Sequence, residues 1–112
     1  MTELWGPTTA HLERYLDLLA ARQRVTASNI ANADTPGYRA REIDFHSEMQ
    51  SLVGGAIPVR ESLAEGAKND GNNVNMDHEL QVLADNVLRF NIASLLLQRE
   101  IRGVRSAIRE GR

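Results

Sequence analysis

Apolar residues recur at alternating spacings of three and four along the C-terminal third of the chain. The stripe comprises Leu80, Leu83, Val87, Phe90, Leu97, Ile101, Val104 and Ile108, and Ser94 is its one polar interruption. This is the heptad pattern of a helix that packs against a second helix. The sequence predicts a helix over 75–110, with Asn75 as its N-cap and with Asp77 and Glu79 against the positive end of the helix dipole.

The middle of this predicted helix is apolar on a second face. At about 100° per residue, Leu88, Ile92 and Leu95 lie almost opposite the heptad stripe. One face can pack on another helix of the chain, but no segment of similar length remains for the other. We therefore expect the second face to contact a neighbouring subunit. The alternative is that the middle of the chain folds back over it, through Ile43, Phe45, Leu52 and Val53.

A weaker pattern of the same kind predicts an N-terminal helix. It should begin near Thr8 or Thr9, with Pro7 just outside it, and end near Ile30. Its seam positions are Leu12, Leu16, Leu19, Gln23, Thr26 and Ile30. A second face carries Leu18, Ala21 and Val25, and we assign Leu18 and Val25 to contacts between subunits.

These patterns predict a mainly α, single-domain protein. Residues 8–33 form the first helix and its closing segment, residues 34–74 an irregular middle, and residues 75–110 the second helix. The two helices should pack as an antiparallel, coiled-coil-like pair. In the middle, Glu42–His46 alternates like a short strand, Ser47–Val53 has the composition of one or two helical turns, and Ala67–Asn73 is a polar loop.

The closing segment of the first helix is Ser28-Asn29-Ile30-Ala31-Asn32-Ala33-Asp34-Thr35-Pro36-Gly37-Tyr38. Thr35 precedes a proline and is therefore disfavoured in a helix, and Pro36-Gly37 favours a type II turn with a positive φ at the glycine. Asn29 and Asn32 lie on one side of the last helical turn. Their amides can bond helix carbonyls or the backbone of a neighbouring segment. On its residues alone, this segment is a capped helix end.

The same eleven residues resemble, position for position, the N-terminal motif of the bacterial flagellar axial proteins. Arg39–Phe45 resembles its continuation in a subunit of the proximal rod, and Asp70–Glu79 resembles the segment that opens the C-terminal helix there. The resemblance covers nearly the whole chain, although the segment between Phe45 and Asp70 is short for the family.

The resemblance implies a structural subunit that polymerises with other axial proteins into the drive shaft and export channel of the flagellum. It implies three partners: other rod subunits, a membrane-ring adaptor at the rod base and the flagellar export apparatus. It also implies a location in the basal-body rod, in the periplasmic space, reached without a cleaved signal peptide.

Composition argues against several other classes of function. A formal net charge of -2 argues against a general nucleic-acid binder, and the absence of cysteine excludes disulfides and thiolate metal sites. His11, His46 and His78 are scattered without a carboxylate or nucleophile at motif spacing, so we expect no enzyme activity, no metal and no cofactor. The N-terminus lacks the apolar core of a signal peptide, and we expect no stretch long enough to cross a membrane and no membrane insertion.

Two alternatives stay open. The chain could be another short axial subunit of the rod. It could also be an unrelated helical adaptor that binds an acidic partner or nucleic acid through its late arginines, which are Arg89, Arg99, Arg102, Arg105, Arg109 and Arg112.

Overall fold

Two long antiparallel helices form the body of the protein. The structure is a computed structural model that describes residues 2–51, 55–62, 67–68 and 70–111, with side chains from Thr9 onwards. The elements are α1 (Thr2–Ala31), β1 (Arg41–Glu42), α2 (Phe45–Gln50), β2 (Arg60–Glu61) and α3 (Met76–Glu110). The molecule measures 68 × 24 × 16 Å. The predicted fold class, a mainly α protein built on a pair of terminal helices, is confirmed.

The helix ends agree with the sequence prediction at three of four positions. α1 ends at Ala31 and α3 begins at Met76, where the Asn75 side chain accepts a hydrogen bond from the backbone N–H of His78 at 3.2 Å. α3 ends at Glu110, also as expected. The predicted start of α1 near Thr8 is wrong, because the helix begins at Thr2 and includes Pro7. Pro7 is the sixth residue of this helix, so it removes one helical hydrogen bond and crowds the carbonyl four residues earlier, although its φ is helical.

The seam of α3 is displaced from its most apolar stripe. The buried residues of α3 are Glu79, Asn86 and Ala93, which recur every seven residues one position before Leu80, Val87 and Ser94. One position corresponds to about 100° of rotation around the helix. α3 therefore turns a partly polar column towards α1, and a large part of its apolar surface stays outside.

The predicted intramolecular seam consequently needs correction. Leu19 is fully buried, and the half-buried seam residues are Leu12, Leu16, Ile30, Leu83, Leu97, Ile101 and Val104. Four others are 44 to 50% exposed, namely Leu80, Val87, Phe90 and Ile108. These four lie beside the contact line instead of within it, because the hydrogen bonds of Glu79 and Asn86 set the rotation of α3.

The middle segment folds onto α1. The Arg14 guanidinium binds the Glu48 carboxylate at 3.3 Å and the Gly55 carbonyl at 3.1 Å, one turn before Leu18. Leu18 is 0% exposed and Ala21 5% exposed, so the assignment of Leu18 to a contact between subunits is wrong. Val25, which had the same assignment, is half-buried.

The segment leaves the second face of α3 open. Ile43 is buried and Phe45 half-buried, but Phe45 stacks edge-on against Tyr15 of α1, with ring centroids 5.7 Å apart. Leu88, Ile92 and Leu95 stay at least 50% exposed, so the alternative in which Ile43 and Phe45 cover the second apolar face of α3 is wrong for both. Leu52 and Val53 lie outside the described residues.

Short elements replace the single strand expected in the middle. β1 pairs with β2 in an antiparallel ribbon that joins Arg41 to Glu61 and Glu42 to Arg60. Helix α2 follows β1 directly, with Asp44 as N-cap accepting from the Ser47 N–H at 3.2 Å. The described part of Ala67–Asn73 is a loop, as predicted.

α3 also has the length and apolar composition of a membrane-crossing helix, and only 11% of its most apolar window is buried. The expectation that no stretch reaches membrane-spanning length is therefore wrong. The same helix carries the polar column that faces α1, which a helix surrounded by lipid would have to leave unpaired.

Candidate functional site: the motif turn and the outer face of the helix pair

The motif segment closes α1 with a type II turn. Gly37 has a φ of +75°, and the Tyr38 N–H donates to the Thr35 carbonyl at 3.2 Å. Both features match the turn predicted for Pro36-Gly37. A Cβ built on Gly37 would meet nothing closer than the Asp70 carbonyl oxygen at 3.9 Å, so the need for glycine comes from the φ angle and not from crowding.

Asn29 joins four parts of the chain. Its Nδ2 donates to the Arg41 carbonyl at 2.8 Å and to Glu79 Oε1 at 3.1 Å. Its Oδ1 accepts from the Arg41 N–H at 3.0 Å and from the Tyr38 hydroxyl at 2.9 Å. The amide, 1% exposed, thus uses both donors and both acceptor positions, and it ties the end of α1 to the turn, to β1 and to α3.

Asn72 connects the motif to the segment before α3. Its Nδ2 donates to the carbonyls of Asn32 and Thr35 at 2.9 and 2.8 Å, and its Oδ1 accepts from the Val74 N–H at 2.9 Å. The side chain is 0% exposed. Both carbonyls lie just after the end of α1 and also accept a backbone N–H, from Thr35 and from Tyr38, so Asn72 supplies a second hydrogen bond to each from about forty residues away in sequence.

Three neighbouring contacts strengthen this joint. Asn73 Oδ1 accepts from the Ala40 N–H at 2.6 Å, Arg39 donates to the Gly71 carbonyl at 3.1 Å, and Lys68 Nζ donates to the Ala33 carbonyl at 3.0 Å. The two blocks that carry the family resemblance, Ser28–Tyr38 and Asp70–Glu79, are therefore one structural unit.

Glu79 brings a buried carboxyl group to this unit. Burial raises the pKa of Glu79, and the hydrogen bond from Asn29 opposes that increase without cancelling it. Glu42 on β1 raises the pKa further, whereas His78 lowers it. The charged form of Glu79 is thus held at a cost in the folded chain.

A second polar cluster sets the register of the helix pair. Asn86, 3% exposed, donates to the Leu19 carbonyl and to Gln23 Oε1, both at 2.9 Å, and accepts from Arg22 Nε at 2.9 Å. Arg22 also binds Asp85 at 2.7 Å, and this hydrogen bond is the main reason why the pKa of Asp85 is lowered. A buried asparagine in a helix seam favours one alignment over its neighbours, because a shifted register would leave the amide unpaired.

Phe45 closes the same cluster from the middle segment. The Arg22 guanidinium lies 4.6 Å from the centre of its ring and the Arg89 guanidinium 5.9 Å. Arg89 in turn binds Asp85 at 2.7 Å and the Tyr15 hydroxyl at 3.2 Å. Helices α1, α2 and α3 therefore meet at one cation–π and ion-pair cluster.

Most of the large apolar side chains that the described residues expose lie on α3, several of them on its outer face. Leu88, Ile92 and Leu95, which the sequence assigns to contacts between subunits, are 60, 50 and 62% exposed. Beside them lie Leu80, Val87, Phe90 and Leu96, each at least 43% exposed. Val87 and Phe90 also border a groove of about 320 Å³ whose other wall is Leu19 and Ala20 of α1. Exposed apolar side chains grouped in this way are typical of interaction surfaces, so this face is the candidate surface for contacts with a partner.

Sequence reasoning missed the asparagines outside the motif and the inward position of Glu79. Asn72, Asn73 and Asn86 are buried, and Glu79 was interpreted only as a charge at the helix start. One signal was present, because Glu79, Asn86 and Ala93 recur every seven residues. The described residues contain no group of three His, Asp or Glu side chains placed to hold a metal ion.

Comparison with known proteins identifies the class of protein to which the chain belongs. A family model described as "Flagella basal body rod protein" matches residues 16–39, which span the second half of α1 and the motif turn. The matched stretch contains Asn29, Asn32 and Gly37, which make or permit the contacts described above.

Relatives named "Flagellar basal body rod protein FlgB" align with most of the chain. The Escherichia coli K12 protein is 34% identical, covering 86% of this chain and 88% of its own length. The Salmonella typhimurium protein is 33% identical with the same coverage, and the Cereibacter sphaeroides protein is 36% identical, covering 84% of this chain and 88% of its own. The chain belongs to the family of flagellar basal body rod proteins and is of the FlgB type. It is a structural subunit of the rod and assembles with other rod components.

Proposed function

We propose that the chain polymerises with other axial subunits through the outer face of α3, and that the resulting rod transmits torque and encloses the export channel. The observation that supports the contact surface is the row of exposed apolar side chains on α3, which α1 and the described middle segment leave uncovered. Because these side chains are 50 to 62% exposed in the free subunit, burying them in a subunit contact stabilises the assembly by about 1–2 kcal/mol per side chain.

Two parts of the chain have different roles in this proposal. The hydrogen-bonded unit around Asn29 and Asn72 sets the shape of one subunit, and the outer face of α3 joins subunits. The rod base then contacts a membrane-ring adaptor, and the subunit reaches the periplasmic space through the flagellar export apparatus without a cleaved signal. These partners and this route are part of the proposal and are supported by the family membership.

The test compares two glutamate substitutions on α3. Leu95→Glu places a carboxylate on the outer face, where the side chain is 62% exposed and the fold of one subunit tolerates it. Ala93→Glu places the same group at a position that is 1% exposed, so it should damage the helix pair itself. We expect the Leu95→Glu subunit to be made and exported but absent from purified basal bodies, because an unpaired carboxylate in a subunit contact costs several kcal/mol.

Two outcomes would contradict the proposal. One is a Leu95→Glu subunit that enters basal bodies as efficiently as the wild type. The other is sedimentation of the purified wild-type chain with lipid vesicles that Leu95→Glu abolishes, since the length and composition of α3 also fit a membrane contact. In the second case the apolar face would serve lipid instead of protein.

A further inference from the structure

The carboxyl group of Glu79 lies buried where the end of α1 meets the start of α3. Glu79 is 6% exposed, and Asn29 Nδ2 donates to its Oε1 at 3.1 Å. This is the one hydrogen bond that the described residues give to the carboxyl group. A buried carboxylate needs several hydrogen bonds to replace the water that it loses, so a single amide donor does not offset the cost of burying the charge. The other oxygen, Oε2, is left to carry a proton.

A cleft of about 200 Å³ lies beside this carboxyl group. Its other charged or titratable lining residues come from α1, β1 and α3, and they are Arg22, Arg41, Glu42 and His78. Arg22 is engaged in the second polar cluster, through hydrogen bonds to Asp85 and Asn86. Arg41 is exposed to solvent, and Glu42 pairs with Arg60 at 3.5 Å. The cleft gives water a route to Glu79 when the helix ends separate.

The balance of these interactions favours a proton on Glu79 in the folded chain. Burial is the largest cause of its raised pKa and Glu42 adds to it, whereas the hydrogen bond from Asn29 and the charge of His78 lower the pKa. When α1 and α3 separate at this joint, the carboxyl group enters water, where its ordinary pKa is 4.5. The closed joint therefore binds the proton more tightly than the open joint does. Its stability is greatest below pH 4.5 and falls as pH rises through the higher pKa of the closed state.

We propose that the joint between the closing segment of α1 and the start of α3 is a local pH switch, which is closed while Glu79 carries a proton and opens more readily once that proton is lost. The second polar cluster responds differently, because the hydrogen bond from Arg22 lowers the pKa of Asp85 below its ordinary 3.8. The contacts of Asp85 are therefore complete throughout the range in which Glu79 loses its proton. One end of the helix pair loosens while its middle stays closed. This inference concerns a single subunit and does not depend on the proposed subunit contact.

Hydrogen–deuterium exchange of the purified full chain tests the switch, at one low protein concentration and at pH values from 4.5 to about 7.5. The reporters are backbone N–H groups that donate to asparagine side chains at the joint, namely those of Ala40, Arg41 and Val74. Peptides that cover residues 38–43 and 72–76 contain them, and a peptide around Leu19 reports on the second polar cluster. Because intrinsic exchange itself accelerates with pH, each measured rate is divided by the intrinsic rate of the same peptide to give its opening constant.

We expect the opening constant of the reporters to rise severalfold over this range in the wild type, while that of the peptide around Leu19 stays constant. Glu79→Gln should abolish the rise, since glutamine still accepts a hydrogen bond from Asn29 but cannot lose a proton. Glu42→Gln should make the rise smaller, because it removes the like charge near Glu79. Glu110→Gln is the matched control, because Glu110 is exposed at the far end of α3 and should leave the rise unchanged.

The proposal is wrong if the wild-type reporters show no rise with pH. It is also wrong if the peptide around Leu19 rises equally, since the whole subunit would then unfold, or if Glu79→Gln keeps the rise, which would assign the effect to His78 or another group. Circular dichroism verifies that each variant is helical. If Glu79→Gln does not fold, Glu42→Gln decides the question, because a rise as large as that of the wild type would contradict a role for the Glu79 charge.

Discussion

The contacts of Asn29 predict that replacing it with alanine costs far more than the same replacement three residues later. Asn29→Ala removes partners from the Arg41 N–H, the Arg41 carbonyl and the Glu79 carboxyl group. The Tyr38 hydroxyl keeps a partner, because Ser28 Oγ lies 3.2 Å away. A buried polar group left without a partner costs about 1–3 kcal/mol, and water can reach part of the exposed Arg41 residue. We therefore expect a loss of about 3 kcal/mol.

Asn32→Ala is the internal standard. Asn32 donates to the Ser28 carbonyl at 2.8 Å and accepts from the Thr35 hydroxyl at 3.1 Å, but both contacts are exposed to water. The Ser28 carbonyl also keeps the helical N–H of Asn32. The expected cost is below about 1 kcal/mol.

Urea unfolding followed by circular dichroism, at one protein concentration for all variants, measures both changes. The double variant Asn29→Ala with Glu79→Gln completes a cycle, and we expect the two positions to couple by about 1 kcal/mol. Equal losses for Asn29→Ala and Asn32→Ala would refute the reasoning, because burial and the number of partners would then make no difference.

Three further predictions follow from the same structure. Gly37→Val should destabilise the subunit by about 1–3 kcal/mol and impair motility, because valine tolerates a φ of +75° poorly. The control Gly103→Val lies inside α3 with open space around it and should be neutral or slightly stabilising, because valine costs less than glycine in a helix. Swimming and urea unfolding test both. Because the pKa of Glu79 is raised in the folded chain, protonated Glu79 contributes stability that is fully present below the ordinary pKa of 4.5. This contribution is lost as pH rises through the higher pKa of the folded chain. Glu79→Gln should therefore flatten this part of the stability–pH curve. Wild-type helicity should fall on dilution, since the outer face of α3 lacks a described partner within the chain, and a helicity that does not depend on concentration would count against completion of the fold by neighbours.

The role of the late arginines depends on the class of protein. As an unrelated adaptor, the chain would use them for an acidic partner or nucleic acid. Membership of the rod family excludes the unrelated adaptor, and the FlgB-named relatives favour this subunit type over another short axial member. Arg89 is distinct from the others, because it takes part in the intramolecular cluster with Asp85, Tyr15 and Phe45.

Local sequence determined the turn and three of the four ends of the two long helices. Asn75 before an apolar run predicts a capped helix start, Thr35-Pro36 predicts a helix stop, and Pro36-Gly37 predicts a positive φ, and each of these depends on residues within one or two turns. The heptad spacing likewise predicts that two helices pair. The helix ends and the turn can be predicted from the sequence because their causes are steric and local.

Only the tertiary structure decided which face of each helix turns inward. Apolar periodicity favours the Leu80 column for the seam, but Asn86 finds the Leu19 carbonyl and Gln23 on α1, and Glu79 finds Asn29. Leaving these polar groups buried and unpaired costs more than leaving Leu80 and Val87 half-exposed. The partners lie fifty or more residues away in sequence, so no local pattern reveals them. The apolar surface that this choice leaves outside is the one we assign to assembly.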